Sequence, residues 1–273
     1  MSAPTTSPST SAMISVRVFF VGGLISFRAL FSWLNPWIYV PAMLIAPIFQ
    51  ILLFAYVGRS AGVGSDRFFL IGNALQYSAI PCLFAMAQAI AGERYGHTLG
   101  IVMVTPARRL PLFLGRSLPV VANGFVVSMF SLLVGALVLG VDIPGSAWLP
   151  LALVVAVAAA SCTGFGLLNA ALALRVREIA VMTNVLFGLL LVFCGVNVAL
   201  DALPAWMAAV GRRLPLTHAI EAARDVAGGA SLHDVSGLIG TELLVGAVYA
   251  ALGVILLRVL EIEGRRRATL EMQ

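Results

Sequence analysis

Long uncharged stretches, separated by short charged clusters, set the pattern of this chain. Five uninterrupted uncharged runs, at 29–58, 68–92, 117–141, 143–174 and 179–200, are 30, 25, 25, 32 and 22 residues long. A helix rising about 1.5 Å per residue needs roughly 20 apolar residues to cross about 30 Å of hydrocarbon, so each run is long enough. A sixth run, 235–257, is interrupted by Glu242. Its carboxylate is tolerable near the headgroups or against other protein. The pattern therefore predicts six membrane spans, at about 36–57, 68–92, 117–140, 150–174, 179–200 and 236–258.

The ends of the chain read differently. Residues 1–12, MSAPTTSPSTSA, are rich in Ser, Thr and Pro and predict a disordered tail without the basic start or cleavage site of a signal peptide. Over 16–35 a helix places Arg17, Arg28, Ser32 and Asn35 within about 60° of one another, leaving the rest of its surface largely apolar. That narrow polar stripe suits a helix lying along the membrane surface before Pro36 redirects the chain; the alternative is an extension of the first span. Residues 263–273 form a basic tail.

Composition agrees with the membrane reading. The 273 residues are 60% hydrophobic and 11% charged, whereas soluble domains carry about a quarter charged residues. Mean hydropathy is +1.01. Disordered, collagen-like and disulfide-scaffold classes are excluded by the same numbers. All 17 basic residues are arginine, giving a net charge of +5. With both termini cytoplasmic, twelve arginines fall on that side and five on the other, the bias expected of topology rather than of nucleic-acid binding. Cys82, Cys162 and Cys194 lie inside apolar runs and read as small buried hydrophobes, neither bridges nor metal ligands.

No phosphate-binding loop, no H-E-x-x-H and no Cys/His cluster is present, so nothing marks a soluble catalytic domain. His97, His218 and His233 are scattered outside the spans. Two connections stand out. In 92–116, Glu93 and Arg94 sit at the membrane edge, followed by Leu99, Ile101, Val102 and Val104, then Thr105, Pro106 and two arginines. This predicts a short helix stopped before Pro106 that offers apolar side chains to a partner groove; the plain alternative is an arginine-rich cytoplasmic loop. In 203–224, Pro204 and Trp206 open a run too short to cross the bilayer, and Gly211 and Pro215 punctuate it. Thr217 is placed to cap a following helix in which Glu221 and Arg224 lie one turn apart. Two short helices dipping into the outer leaflet fit this segment, as does a folded outer loop anchored by Trp206.

Polar residues within the spans include Asn73, Gln76, Gln88, Asn123, Asn169, Asn184 and Asn197. Of these, Asn73, Gln76, Asn184 and Asn197 are candidates for a translocation path, and each amide is equally able to act as interhelical glue. A path without fixed charge suits uncharged or amphiphilic cargo better than small ions. An ion-coupled transporter needs an ionisable group within the membrane, and Glu242 is the sole candidate.

Together these segments resemble the type-2 membrane permeases of the ATP-binding-cassette (ABC) transporters. The family's E-x-x-x-G-T-L and T-P pattern is met by Glu93, Thr98, Leu99, Thr105 and Pro106, with His97 in place of the usual glycine and Gly96 before it. The outer P-L-T-H-A-x-E-A-x-R pattern is met by Pro215, Leu216, Thr217, His218, Ala219, Glu221, Ala222 and Arg224. The resemblance implies an all-α fold over 13–262, with the surface helix, six spans and a re-entrant outer hairpin. It implies a coupling helix over 93–106, including Arg94 and His97, and an outer gate including Pro204 and Trp206. Two ABC ATPase subunits would carry ATP and magnesium, none being bound by this chain, and a second permease, identical or paralogous, would complete twelve spans. The implied setting is the bacterial cytoplasmic membrane. The implied activity is export of a lipophilic or amphiphilic drug or natural product, with lipo-oligosaccharide or polysaccharide export as the alternative.

Overall fold

The computed structural model describes residues 36–95, 109–173, 175–176 and 178–267. The N-terminal tail, the surface helix over 16–35, residues 268–273 of the basic tail, and His97, Thr98, Leu99, Thr105 and Pro106 lie outside the described residues. Every regular element described is helical: α1 (Pro36–Tyr39), a π-helical segment (Val40–Ile45), α2 (Ala46–Ala61), α3 (Asp66–Gln76), α4 (Ala79–Tyr95), α5 (Arg109–Leu139), α6 (Trp148–Leu172), α7 (Ile179–Phe193), α8 (Ala205–Gly211), α9 (Thr217–Ala227) and α10 (Ser236–Arg267). The chain is thus an all-α membrane protein. Five stretches are long and apolar enough to span: Val40–Ala61, Asp66–Gln88, Ser117–Leu139, Gly145–Leu172 and Ser236–Leu260.

Local chemistry explains the boundaries. Pro41 and Pro47 lack an N–H, and the ladder between them widens, with Ala46 N–H donating five residues back to Pro41 O. Gly62, at φ 67°, closes α2 while Val63 N–H returns to Gly58 O at 3.0 Å. Ser65 then caps α3, its hydroxyl oxygen accepting from Phe68 N–H at 3.2 Å. Helix α5 starts eight residues before the expected 117, because Pro111 falls in its first turn, where a missing N–H costs nothing. Helix α10 begins at the predicted 236 but continues past 258 to Arg267.

Two expected spans differ from their predicted form. The second is a pair of helices, broken at Tyr77 and Ser78, where Tyr77 N–H bonds Asn73 O and Ser78 N–H bonds Leu75 O. Pro81, without an N–H to return to Tyr77 O, prevents one continuous ladder. The fifth starts at the predicted Ile179 but ends at Phe193 rather than Leu200. Its 15 residues rise about 22 Å, less than a hydrocarbon core. Gly195, at φ 74°, turns the chain away.

Helix α6 is the hub, packing against α4, α5, α9 and α10. Leu151, Val154, Val155, Ala158, Ala159 and Cys162 on it are fully buried. Its small residues allow backbones to touch, which is how helices associate where lipid is as apolar as leucine. A methyl group added to Gly164 would stand 2.3 Å from Gly246 O of α10, and one on Gly166 would stand 2.4 Å from Cys82 O of α4. Phe49 and Leu53 of α2 and Leu244 and Ile255 of α10 remain exposed, an outer surface suited to hydrocarbon.

Replacing Gly246 by Leu should unseat α10 from α6 and cost about 1–3 kcal/mol of stability. Gly188 has nothing within 4 Å, and Gly188→Ala should instead stabilise α7 by about 0.5–1 kcal/mol. Thermal melts of the two variants in detergent check both signs.

Candidate functional site

The polar groups of the described core collect in two places. The first lies under α9. Helix α10 carries Glu242, fully buried, and its carboxylate faces the N-terminus of α9. Leu216 N–H donates to Oε1 at 2.6 Å and Ala219 N–H to Oε2 at 3.2 Å. An ionised carboxylate so placed satisfies two donors that a helix start leaves open, and meets the positive end of the helix dipole. His218 Nδ1 stands 3.8 Å from Oε2 and has no hydrogen-bond partner. Ser161 Oγ of α6 donates to the backbone carbonyl, Glu242 O, at 3.2 Å. The sequence marks Glu242 as an interruption of the last span and as a candidate for ion coupling; its partners at the start of α9, 23 and 26 residues earlier, carry no local signal.

Thr217 does not cap α9, contrary to expectation. Leu216 occupies the capping position with no side-chain cap, and the Thr217 hydroxyl donates instead to Gly211 O at 2.6 Å, tying α9 back to α8. The cause is the backbone of Leu216, at φ 85° and ψ −29°, which aims the first N–H groups at α10 rather than at Thr217. Pro215 O accepts from Cys194 Sγ at 3.3 Å. Pro204 precedes α8, and Trp206, exposed, packs edge-on against Phe193 with centroids 5.9 Å apart.

The far end of α9 is held by arginine. Arg224 donates to Val196 O at 2.9 Å and Phe68 O at 3.2 Å, with its guanidinium 3.5 Å over the Phe68 ring. Glu221 is one turn away, as the spacing predicts, but the Arg224 hydrogen bonds go to backbone carbonyls. Gly72 makes this approach possible: a methyl there would stand 2.2 Å from Val196 O. Arg67 joins the same end, donating to Asp142 O at 2.9 Å and to Ala227 O, at the C-terminus of α9, at 3.3 Å. Beyond α9, the N–H and hydroxyl of Ser231 donate to Asp234 at 2.9 and 2.8 Å and hold that carboxyl below its ordinary range.

The second place is a cluster of amides beside the break in the second span. Gln50 Nε2 donates to Asn73 Oδ1 at 2.9 Å and Gln76 Oε1 at 3.0 Å, and Asn73 Nδ2 donates to Asn197 Oδ1 at 2.8 Å. Asn73 and Gln76 are fully buried, whereas Gln50 and Asn197 are partly exposed. The Gln76 Nε2 amide has no partner. Three of the four candidate path residues therefore meet, and the fourth does not: Asn184 is exposed and donates to Ala180 O of its own helix at 2.9 Å. Gln50 was missed because it bears no charge and sits inside an otherwise apolar run. Asn169 acts as glue, donating to Leu83 O and Thr183 Oγ1, and Asn123 accepts from Tyr39 at 2.5 Å.

Glu93 and Arg94 fall in the last turn of α4, and the rest of the predicted coupling segment lies outside the described residues. All three cysteines are free and buried. Among the described residues, no three His, Cys, Asp or Glu side chains gather where a metal ion could be held. The sequence model of a family described as ABC-2 type transporter matches residues 12–227, ending at the last residue of α9. No curated protein matches the chain.

Arg224→Lys keeps the charge but loses the flat guanidinium whose Nη2 reaches both carbonyls and whose face covers Phe68. It should lower stability by about 1.5–3 kcal/mol, read as a drop in melting temperature of the purified protein. An unchanged melt would mean the arginine ties are decorative.

Proposed function

The chain belongs to the ABC-2 type transporter family, so it is a multi-pass permease subunit that works with an ABC ATPase, and on that premise we propose that it exports a neutral, amphiphilic small molecule. In this reading both termini and the 93–106 segment face the cytoplasm, and α8 and α9 form the outer gate. ATP and magnesium act on two partner ATPase subunits. A second permease, identical or paralogous, completes the path.

The observation that carries the cargo assignment is the amide cluster. It is uncharged, it reaches from the protein interior to partly exposed Gln50 and Asn197, and it holds an unused donor at Gln76 Nε2. Such a group accepts a hydroxyl- or carbonyl-bearing molecule and offers a small cation no compensating charge. The rival, ion-coupled transport, needs Glu242 free to exchange an ion. That carboxylate is already engaged by two backbone N–H groups.

A mechanical line supports coupling to the ATPase. Helix α4 runs from the break at Tyr77 and Ser78 down to Tyr95, where the coupling segment begins with Glu93 and Arg94. From the other side of the break, α3 leads up to Phe68, whose carbonyl Arg224 of α9 holds. Packed helices move largely as rigid bodies, so a push on residues 93–106, through His97, Thr98, Leu99, Thr105 and Pro106, travels along α4 and α3 to the gate. Two states of that line, biased by nucleotide on the partner, amount to coupled transport.

In proteoliposomes containing permease and ATPase, Glu93→Ala should leave basal ATP hydrolysis in place and cut transport by about tenfold or more. Full substrate-stimulated transport by a correctly inserted variant would remove Glu93 from the coupling role. Gln50→Leu should raise the KM for a hydroxyl-bearing cargo by about tenfold while kcat changes little. Equal KM values for wild type and variant would exclude the amide cluster from the path.

A further inference from the structure

Among the ties of helix α9, one at each end leads to a different part of the molecule. Arg224, in its last turn, fastens it to Phe68 of α3 and to Val196. Glu242, at its start, fastens it to α10. Helix α10 is itself a fixed frame: Gly164 packs on Gly246 O, Gly253 packs on the backbone of Leu167 and Leu168, and Ser161 holds Glu242 O. A displacement arriving through α3 therefore pulls α9 against the Glu242 tie.

The chain is strained where that pull would act. Among the described residues, Leu216 is the one non-glycine at positive φ, 85°, and its side chain is fully buried. A branched residue stays in this region only while its surroundings hold it there, and such residues concentrate at switches. Here the holding group is identifiable, because the Leu216 N–H makes the shorter of the two bonds to Glu242.

We propose that Glu242 is the positioning residue of the outer gate. Its carboxylate holds Leu216 in the left-handed turn and α9 in the closed position. Opening releases this tie, Leu216 relaxes to negative φ, and α9 swings about Pro215 and Leu216 while Arg224 keeps it on α3. The inference rests on the reading of α8 and α9 as the gate.

Cys194 is a native reporter, fully buried with its thiol on Pro215 O. The experiment uses full-length permease with its ATPase in proteoliposomes, with Cys82 and Cys162 changed to Ala and a membrane-impermeant maleimide outside. Without nucleotide, Cys194 labels slowly. Glu242→Gln sets an amide NH2 against a backbone N–H, and should speed labelling about tenfold or more while lowering the cargo moved per ATP. Phe165→Leu, which loosens the same α6–α10 seam at its ring contact with Tyr249 and leaves the carboxylate alone, should leave labelling slow. If Glu242→Gln fails to insert, Glu242→Asp carries the test, with a smaller rise. Slow labelling and unchanged cargo per ATP in the Glu242 variant overturn the proposal. So does equal acceleration in Phe165→Leu, which makes Glu242 a packing residue. Distinct from these is a wild-type Cys194 that stays protected when ATP is bound, since that result defeats the gate reading itself.

Discussion

A carboxylate taken out of water inside a membrane protein must find donors, and Glu242 finds them in the first N–H groups of α9. An isolated charge at membrane depth is costly, and an uncapped helix start in the same place leaves orphan donors. Each of these defects removes the other. The pairing fixes where α9 lies, and α9 in turn determines what the rest of this end can do. Thr217 is freed to hold α8, Cys194 and Pro215 are brought together, and Arg224 is set where it reaches α3. Hydrogen bonds of this kind to a buried carboxylate are worth about 1.5–3 kcal/mol, against about 0–1 kcal/mol for an exposed ion pair such as Arg59 with Asp66.

The remaining helices supply a frame stiff enough for that pairing to matter. Glycines at 164, 166, 246 and 253 let α6 approach α4 and α10 to backbone contact. Close approach of this kind replaces the hydrophobic drive that lipid cannot provide. Against the frame stands a divided second span, α3 tied to α9 and α4 packed on α6. Two of the arginines at this end, Arg67 and Arg224, bind backbone carbonyls. Local structure thus gives both arginines a role of their own, whatever side of the membrane they occupy.

Much of the architecture was legible in the sequence because charges in an apolar chain are expensive and fall between spans. That argument placed the starts of α7 at Ile179 and α10 at Ser236, and put α6 within two residues of its observed ends. It also recognised the α8–α9 segment as two short pieces. Hydropathy could not show the break at Tyr77 and Ser78, since the uncharged run continues on both sides and the trace of the break is Pro81, which acts on the backbone ladder. The early end of α7 turns on the φ of one glycine. In the site, Asn73, Gln76 and Asn197 were visible as amides in apolar runs, while Gln50 and the role of Glu242 were not. Their partners are 23 to 26 residues away, and contacts at that separation are decided by packing. Thr217 shows the reverse error, in which a sound local rule lost to a better-placed tertiary partner.

The tie between Glu242 and α9 is most directly read by hydrogen exchange on the intact permease in lipid nanodiscs. The backbone amides of Leu216 and Ala219 should exchange as slowly as those in the middle of α6, because a buried carboxylate holds them. Exchange as fast as at Gly62 and Gly64, in the exposed turn after α2, would show these amides meeting water and would contradict the account.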